Sequence, residues 1–469
     1  MTIDPRHPLP GRHALVVGAA RSGLAAASLL ADHGLDVRVC DRRPAAELAD
    51  AARTLAVSGV ALVAGRDDPA LLEGRDVIVW SPGIPDTHPL AVAARARGIP
   101  VLSELEIGYL AAHAPLLCVT GTNGKSTTTD LVGALLRAAG REVEVCGNIG
   151  RALCEAAESV SPRGLLAVEV SSFQLETVDR LKPFVATWLN LTPDHLDRHH
   201  DMERYGGLKQ RLFARQDEHD YAVWNADDPE VMRRRAGHGT WLEFSIRRPV
   251  EQGAWAMDGV IHLAWRGGTE SLLDRREMRL PGGHNLANTV AALATVLPLE
   301  PSPDILRAVL REYPGLEHRL EPAGEVDGVR FVNDSKATNT SSMEVALRSF
   351  DRPVVLIAGG RDKGQDFAPL RDLAKCAVRR AILIGEGADH IAAAWSGVPQ
   401  TRARSLSEAV DLAFEAARAL DPAAGGASGP ATVLLSPGCA SFDMFRDYED
   451  RGRRFKDEVA RLKHREAHA

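Results

Sequence analysis

The 469-residue sequence has few cysteines, no long apolar run and no excess of basic residues. Its six cysteines are scattered without a Cys-x-x-Cys pair, which is typical of reduced, buried thiols. No window approaches the length of a membrane span, and the apolar stretch from Ala14 to Ala20 is too short for a signal peptide. A net charge of −7 argues against nucleic acid or a membrane surface as partner, because both favour a basic face. The sequence therefore predicts a soluble, cytoplasmic protein.

The composition and the order of the apolar segments predict an α/β protein of three domains. Hydrophobic residues make up 45% and charged residues 25% of the chain, which is ordinary for globular proteins. Strand and helix patterns alternate in residues 1–103, which indicates a Rossmann-like domain. Residues 104–315 are predicted to form a P-loop ATPase domain with an antiparallel β insert from Trp241 to Leu280, and residues 316–469 a second Rossmann-like domain. The Gly/Ala/Ser/Pro-rich stretch from Asp421 to Pro430 predicts a surface loop.

The stretch from Thr120 to Thr127 reads TGTNGKST, follows an apolar run and opens a helical pattern. A glycine loop between a strand and a helix N-terminus binds phosphate, because the first helical amides have no partner within the helix and the dipole is positive there. Gly121 and Gly124 let the backbone approach the anion, Lys125 adds a charge, and Ser126 can hold Mg²⁺. The pattern predicts ATP binding, although this loop is two residues shorter than the common G-x-x-x-x-G-K-[ST] form.

A second glycine turn, Gly18 to Gly23, follows the first predicted strand, and Asp41 ends the second. This arrangement resembles a dinucleotide fingerprint, but Ala20 replaces the middle glycine that lets the backbone approach a pyrophosphate, so a dehydrogenase is disfavoured. A nucleotide bound in another way is predicted, with Asp41 near its sugar or base. The crevice would be lined by Arg21, Ser22 and Gly83. The alternative is a tight turn in which glycine serves packing only.

Two acid- or histidine-bearing segments follow apolar strands of the central region. Glu169 ends one strand, where a carboxylate beside a phosphate loop can hold Mg²⁺. His195, in the segment Asp194 to His199, follows another strand of the same predicted sheet and could supply a second metal ligand. A solvated glutamate and a structural histidine are the alternatives.

Other polar residues have more than one interpretation. Lys209 is interpreted, from the sequence pattern alone, as a helix-surface lysine. Asn285 and Asn288 share a helix face and could bind an adenine edge, although capping explains them equally well. The run from Asn333 to Asn339 suits a nucleotide clamp, with a plain turn as the alternative. Arg319 could bring a cation to the γ-phosphate.

Four segments, together with the phosphate loop, resemble the Mur ligase family of ATP-dependent, amide-forming enzymes of peptidoglycan synthesis. They are GNIG (147–150), SSFQLET (171–177), NDSKATN (333–339) and LLSPGCASFDMF (434–445), and the likeness runs from Gly18 to Tyr448. The Asp-Asn-Pro-Arg motif of members that add a diamino acid is absent. Asn123 stands where members that add L-alanine usually have histidine. The resemblance therefore implies ligation of D-glutamate to UDP-N-acetylmuramoyl-L-alanine, while the sequence leaves L-glutamate open.

The resemblance also implies individual site residues, which fall into groups according to the ligand that they would bind. The residues for ATP are Gly121, Thr122, Asn123, Gly124, Lys125, Ser126, Thr127, Asn285, Asn288, Arg319, Asp334 and Lys336. Those for the UDP-sugar are Arg21, Ser22, Asp41, Arg42, Gly83, Asn148 and Ser171. Those for glutamate are Thr338, Lys363, Ser441, Phe442 and Tyr448. Two Mg²⁺ ions would be held by Ser126, Glu169, His195 and Lys209, the last as a carbamate derived from CO₂.

The family mechanism assigns Lys125, His195 and Lys209 to catalysis through an acyl phosphate, in a monomer that closes its domains around small-molecule substrates. Two departures bear on the glutamate pocket. Phe442 and Tyr448 stand where leucine and phenylalanine are expected, and Arg361-Asp362 precedes Lys363 where some members have Asp-Gly. A P-loop switch, an NAD-dependent oxidoreductase and a folylpolyglutamate synthase are the rival predictions.

Overall fold

A computed structural model describes residues 9, 11–280, 282–350, 352–362, 364–419 and 431–466. The chain divides into two compact units, one ending at Tyr313 and the other beginning at Pro314. The predicted boundary between residues 103 and 104 falls inside the first unit, so the residue limits of the three domains stay a prediction. Within the described ranges, no helix combines the length and the apolar character that crossing a membrane requires. The loop predicted from Asp421 to Pro430 lies outside the described residues.

The first unit begins with strands and helices that alternate along the chain. They are β1 (His13–Val17), α1 (Arg21–Asp32), β2 (Asp36–Asp41), α2 (Ala49–Val57), β3 (Ala61–Ala64), β4 (Val77–Trp80), α3 (Pro89–Ala96), β5 (Val101–Ser103) and α4 (Glu104–Ala111). The five strands form a parallel sheet in the order β3-β2-β1-β4-β5. Because the order reverses between β1 and β4, the sheet has a crevice at the carboxyl ends of these strands, as the Rossmann-like prediction requires.

The rest of the first unit is built on a nine-stranded sheet. Its elements are β6 (Leu116–Thr120), α5 (Lys125–Ala138), β7 (Val143–Gly147), α6 (Leu153–Ala156), β8 (Leu165–Glu169), β9 (Val185–Trp188), α7 (Leu196–His199), α8 (Met202–Gln210), β10 (Tyr221–Asn225), α9 (Pro229–Arg233), β11 (Thr240–Ser245), β12 (Gly253–Met257), β13 (Val260–Trp265), β14 (Gly268–Asp274), α10 (Gly283–Val296) and α11 (Pro303–Glu312). The order is β14-β13-β12-β11-β10-β9-β6-β8-β7. Strand β6 is thus flanked by β8 and β9, and all of its residues are buried, as expected for a central parallel strand.

The predicted antiparallel insert from Trp241 to Leu280 is only partly correct. Strand β11 pairs in parallel with both β10 and β12, and only β12, β13 and β14 pair antiparallel. These strands extend the edge of the central sheet instead of forming a separate layer. The short alternating runs indicated the strand positions but could not indicate their direction, because a half-buried strand has the same period in either kind of pairing.

The second unit contains a six-stranded sheet. Its elements are β15 (Glu321–Val326), β16 (Val329–Asn333), α12 (Thr340–Leu347), β17 (Val354–Gly359), α13 (Arg371–Ala377), β18 (Val378–Ile384), α14 (Ala388–Ala394), β19 (Gln400–Arg402), α15 (Leu406–Arg418), β20 (Ala431–Leu435) and α16 (Tyr448–Glu466). The order is β15-β16-β20-β17-β18-β19, parallel except for β15. Strands β15 and β16 form a hairpin whose two turn residues, Asp327 and Gly328, both have positive φ, as a type I′ turn requires.

Candidate functional site

The phosphate loop lies between β6 and α5, as predicted, and its glycines are required by its shape. Gly121 has φ of 154° and Gly124 has φ of 84°, and both values lie where glycine is favoured. A Cβ atom on Gly124 would also overlap the side-chain oxygen of Asn288 on α10. Asn288 and its neighbour Asn285 are buried, and Asn288 Nδ2 donates to Asn285 Oδ1 at 3.4 Å. The two asparagines predicted to bind adenine therefore lie directly beside the phosphate loop.

The side chain of Asn190, two residues after β9, holds the loop in place. Its Oδ1 accepts hydrogen bonds from the backbone amides of Thr122 at 3.0 Å and Asn123 at 2.8 Å, and its Nδ2 donates to Asn123 O at 3.0 Å. The amides of the following turn of α5 have no carbonyl partner within the helix, since they belong to its first turn. These amides, which include that of Ser126, are consequently the donors that remain for an anion.

Two lysines converge on one carbonyl of this loop. Lys125 Nζ donates to Gly121 O at 3.1 Å and to Thr122 O at 2.8 Å, and Lys209 Nζ donates to Gly121 O at 2.8 Å. Lys209 is 1% exposed, and its ammonium group lies 4.6 Å from the centre of the Tyr205 ring. Burial, with repulsion from Lys125, holds the pKa of Lys209 well below its usual range.

The interpretation of Lys209 as a surface lysine is therefore wrong. Helix α8 turns one face inward, and that face carries Tyr205, Lys209 and, just beyond the helix end, the buried Leu212. These positions are spaced by four and three residues, which is the spacing of one helix face. The available signal was a lysine on an otherwise apolar helix face. The family resemblance assigned Lys209 to the site, whereas the residue pattern alone did not.

Glu169, at the end of β8, has one carboxylate oxygen with a partner and one without. The residue is 2% exposed, and its Oε1 accepts a hydrogen bond from Asn148 Nδ2 at 2.7 Å. Among the described residues, Oε2 is buried and has no hydrogen-bond partner. A buried carboxylate oxygen without a partner is costly, so its presence beside a phosphate loop fits a ligand for a hard cation.

His195 lies in the segment that follows β9. It has φ of 53°, lies 4.7 Å from the ring of Phe173, and its Nε2 is 3.5 Å from Asp194 Oδ2. Its neighbour His199 is buried, lies 3.0 Å from Ser172 Oγ, and has a pKa lowered to about 4, chiefly by burial. These contacts bring the predicted metal-ligand segment of His195 against Ser172 and Phe173, which follow Glu169 and β8.

The described residues around the loop do not form a preformed cluster of metal ligands. Within the described part of the chain, the one group of three His, Cys, Asp or Glu residues close enough to share an ion is Glu317, His318 and Glu321 in the second unit. Lys456 already forms ion pairs with both of these glutamates. A cation beside Glu169 would therefore need further oxygen ligands from substrate or water, which is how Mg²⁺ is usually bound.

Five of the seven predicted sugar-nucleotide residues lie at the carboxyl ends of β1, β2 and β4, whereas Asn148 and Ser171 follow β7 and β8. Buried Asp41 accepts hydrogen bonds from the amide of Ala19 at 2.9 Å and from the guanidinium of Arg43 at 2.8 Å. Burial alone would raise the pKa of Asp41, but these bonds outweigh it and lower the pKa to about 2. Arg43, not the exposed Arg42, is thus the partner of Asp41, and Gly83 is also exposed.

Arg21 connects this turn to the nine-stranded sheet within the same unit. It donates to Gly150 O at 2.7 Å and to Asn148 O at 3.4 Å, both in the GNIG segment. Ser22 follows it in the first turn of α1, and Ser171 donates to Gln174 Oε1 at 3.0 Å just beyond Glu169. The predicted residues for the sugar nucleotide and for the metal are therefore linked by hydrogen bonds through GNIG.

In the second unit, most of the described predicted residues lie on the loops that follow the adjacent strands β16 and β20, whereas Arg319 lies just before β15 and Tyr448 begins α16. Asp334 is buried, its pKa is raised to about 6 by burial, and Ser436 Oγ donates to its Oδ2 at 2.8 Å. Arg319 Nη1 lies 3.8 Å from Asp334 Oδ1. The Lys336 ammonium lies 5.5 Å from the ring centre of Tyr448. The structure thus brings together Arg319 with Asp334, and Lys336 with Tyr448, while their roles in binding stay a prediction.

The glutamate residues are placed less uniformly. Thr338 follows Lys336 in the loop after β16, and Ser441 is buried in the loop after β20. Phe442 is 58% exposed, so it does not form a buried pocket wall within its own unit. Lys363 lies outside the described residues.

Arg451, which no sequence motif indicated, holds the two loops together. It is fully buried on α16, donates to Ser335 O at 2.8 Å and to Cys439 O at 3.1 Å, and burial lowers its pKa to about 10. It shares the inward face of α16 with Phe455 and Val459, so a charged residue on an apolar helix stripe was the available signal.

Comparison with known proteins assigns the chain to a family. Models of three domain families match consecutive parts of the chain: the MurD-like N-terminal domain at residues 12–103, the Mur ligase middle domain at 119–296, and the Mur ligase glutamate ligase domain at 318–434. The chain is 42% identical over 457 residues to a protein from Geobacter metallireducens, covering 97% of this chain and 98% of that one. It is 43% identical to one from Syntrophotalea carbinolica over 95% and 96% of the two chains. The chain belongs to the Mur ligase family. Both relatives bear the name UDP-N-acetylmuramoylalanine--D-glutamate ligase.

Solved structures show the same fold for this Mur ligase. A pseudomurein peptide ligase type C from Methanothermus fervidus has a TM-score of 0.57 at 16% identity and covers 97% of this chain and 100% of its own. UDP-N-acetylmuramate-alanine ligase MurC from Thermotoga maritima has a TM-score of 0.56 at 16% identity, covering 96% and 100%. The predicted α/β architecture with Rossmann-like outer parts and a P-loop ATPase centre is confirmed.

Proposed function

We propose that this Mur ligase uses ATP to join D-glutamate to UDP-N-acetylmuramoyl-L-alanine, giving ADP, phosphate and a new amide. The names of relatives that are 41% to 43% identical over nearly the whole chain support this choice of substrates. The observation that carries the chemistry is the convergence of the Lys125 and Lys209 amino groups on the Gly121 carbonyl. An amino group fixed beside a phosphate loop can stabilise the charge on a phosphoryl group during transfer.

The two reacting groups, a carboxylate and the γ-phosphate of ATP, are both anions and repel each other. At 4 Å, two unit charges interact with about 4 kcal/mol at the effective dielectric constant of a protein surface. Lys125 and the first-turn amides of α5 would offset this repulsion, with Arg319 as a further cation. Neighbouring residues Gly121, Thr122, Asn123, Gly124 and Thr127 would shape the cradle.

The donor set around the loop fits Mg²⁺, which the Mur ligase family uses with ATP. Among the described residues, buried Glu169 Oε2 has no protein partner, and Ser126 and His195 lie in the flanking segments. We propose that these residues and carbamylated Lys209 hold two ions. When bound, the ions would screen the oxygens of both reacting anions.

The burial of Lys209 suits it for carbamylation. An ordinary lysine requires about 4–5 kcal/mol to lose its proton at pH 7, by the usual value per pKa unit. Because burial holds the pKa of Lys209 below its usual range, the folded protein lowers this cost. The neutral Nζ attacks the carbon of CO₂ and loses a proton, which leaves a carbamate anion in place of a cation.

The reaction then runs in two steps. A carboxylate oxygen of the muramoyl-alanine attacks the γ-phosphorus, the bond to ADP breaks, and an acyl phosphate forms. The amine of glutamate attacks the acyl carbon, loses a proton, and phosphate leaves as the amide forms. Holding the reactants in line is the main task of the protein in such transfers.

Binding roles follow the groups that the resemblance implied. The sugar nucleotide would be bound by Arg21, Ser22, Asp41, Arg42, Gly83, Asn148 and Ser171. The adenine and phosphates would be bound also by Asn285, Asn288, Asp334 and Lys336, and glutamate by Thr338, Lys363, Ser441, Phe442 and Tyr448. We further propose that the enzyme works as a cytoplasmic monomer.

A phosphate-release assay tests the proposed function. Release should require ATP, UDP-N-acetylmuramoyl-L-alanine and D-glutamate together, and mass spectrometry should find the amide product. Competing D- and L-glutamate in one assay decides the stereochemistry. Robust phosphate release in the absence of both UDP-N-acetylmuramoyl-L-alanine and D-glutamate would contradict the proposal. Turnover with a folate in place of the nucleotide sugar would also contradict it.

A further inference from the structure

We propose that Gln365 is a positioning residue that fixes the two loops expected to bind glutamate. The role of those loops in binding glutamate rests on the proposed function, whereas the positioning role of Gln365 rests on its own contacts. It concerns a residue to which neither the sequence motifs nor the resemblance assigned a role. Gln365 lies in the loop after β17 and is half-buried.

The side-chain amide of Gln365 bonds to backbone groups of both neighbouring loops. Its Oε1 accepts a hydrogen bond from the amide of Thr340 at 2.9 Å. Its Nε2 donates to Gly438 O at 3.0 Å and to Thr338 O at 3.4 Å. Both the acceptor and the donor of the amide are thus used on backbone atoms.

The orientation of this amide is determined by its partners. Two of the partners, Thr338 O and Gly438 O, are carbonyl oxygens, and the third, Thr340 N, is a donor. Rotating the amide by half a turn would set an oxygen against two oxygens and an NH₂ group against an N–H. Gln365 can therefore satisfy the three groups in one orientation only, which gives the two loops a defined separation.

The sheet order explains why one side chain reaches both loops. Strands β16, β20 and β17 are adjacent, so the loops that follow them meet at one edge. The β16 and β20 loops already touch, because Gly438 N donates to Ala337 O at 2.8 Å. Gln365 closes the third side of this arrangement from the β17 loop.

The contacts with Thr338 and Thr340 also fix the start of α12. The N-cap residue Asn339 accepts from the amide of Ser342 at 2.7 Å, and Gln365 accepts from the amide of Thr340. Two of the first amides of this helix are thereby satisfied by side chains. Thr338 is one of the residues implied for glutamate. Its carbonyl accepts a hydrogen bond from Gln365, and the capped helix α12 begins two residues after it, so its position is fixed on both sides.

The test compares Gln365→Met with Gln400→Met. Methionine keeps the length of the side chain and removes the hydrogen bonds. Gln400 on the edge strand β19 is a matched control, because its Nε2 also donates to two backbone carbonyls, Ala392 O at 3.3 Å and Trp395 O at 2.9 Å. We expect Gln365→Met to raise KM for D-glutamate about tenfold, the change that accompanies about 1.4 kcal/mol, with KM for ATP and for the nucleotide sugar within about twofold of the unmodified enzyme. Gln400→Met should leave all three values unchanged.

Hydrogen exchange gives a second readout that does not depend on catalysis. The peptide containing Thr340 should exchange faster in Gln365→Met than in the unmodified protein and in Gln400→Met. An unchanged KM for glutamate, an equal rise of all three KM values, or unchanged exchange of this peptide would overturn the inference. If the unmodified protein makes no amide while exchange in Gln365→Met rises as expected, the proposed function fails and the positioning contact stands without its role in glutamate binding.

Discussion

The side chains of Lys125 and Lys209 donate hydrogen bonds to the same backbone oxygen, that of Gly121. Two ammonium groups at one acceptor repel each other, and the buried one, Lys209, is the more easily neutralised because burial already disfavours its charged form. Because the two lysines differ in burial, they are suited to different chemistry, although the amino-acid composition does not distinguish them. Lys125 is placed in the phosphate loop, where its amino group can pair with phosphate, and Lys209 is suited to become a carbamate anion.

Lys209→Ala should lower the rate of amide formation by at least about 10²-fold, the scale for losing one charge-stabilising group in an active site. A short carboxylic acid such as formate should partly restore the rate, because it can occupy the space of the carbamate. The measurement is phosphate release with and without formate. Lys182→Ala is the control, since Lys182 is a half-buried lysine paired with Asp217 on the same unit. A folded Lys209→Ala protein that formate does not rescue would count against the carbamate.

Glu169→Gln should raise the Mg²⁺ concentration needed for half-maximal activity by at least about tenfold, the lower end for disturbing a metal site. Glutamine keeps an oxygen for Asn148 Nδ2 but removes the charge and puts an NH₂ group at the Oε2 position. The measurement is a Mg²⁺ titration of phosphate release. Glu144→Gln, on the neighbouring strand β7, changes a glutamate paired with Arg151 and should leave the titration unchanged. An unaltered Mg²⁺ requirement in Glu169→Gln would show that Glu169 is not a ligand.

Glu104→Gln should remove a pH dependence of stability. Glu104 begins α4, is 2% exposed, and accepts a hydrogen bond from the amide of Cys154 at 2.7 Å. Burial raises its pKa from 4.5 to about 7, so the unfolded chain releases this proton more readily than the folded one. Its contribution is fully present below pH 4.5 and is lost as the pH rises through 7.

Between about pH 5.5 and 8, the free energy of unfolding of the unmodified protein should therefore fall by about 2 kcal/mol relative to that of Glu104→Gln. Denaturant unfolding at both pH values measures this difference. Glutamine retains the acceptor for Cys154, so the comparison isolates the ionisation. Parallel pH dependence in the two proteins would refute the assignment.

Much of the fold was predictable because local signals are strong where strands are buried and loops carry glycine. The phosphate loop, β1, β2, β8 and β13 lie where apolar runs and turn residues placed them. The direction of β11 was not predictable, because pairing depends on neighbours that are distant in sequence. The hairpin at Asp327-Gly328 carries a recognisable Asp-Gly turn signal, which could have located it in advance.

The candidate site divides in the same way. Residues of the glycine loop follow from its motif, whereas Asn190, Arg43 and Arg451 act through hydrogen bonds to groups that no motif links to them. Such partners leave no periodic pattern. The sequence did carry a signal for the burial of Lys209, because this residue shares a helix face with Tyr205. A single polar residue on such a face is usually exposed, however, so the signal was weak.

The two hydrogen bonds from the amides of Thr122 and Asn123 to Asn190 Oδ1 bear on how fast and how selectively nucleotide is captured. Since a side chain of the adjoining strand end already imposes the bend, the cradle needs no anion to adopt its curvature. Association with ATP should then involve little rearrangement of this loop. A substitution of Asn190 should slow the association of ATP and weaken its binding, and should leave the chemical step unaffected.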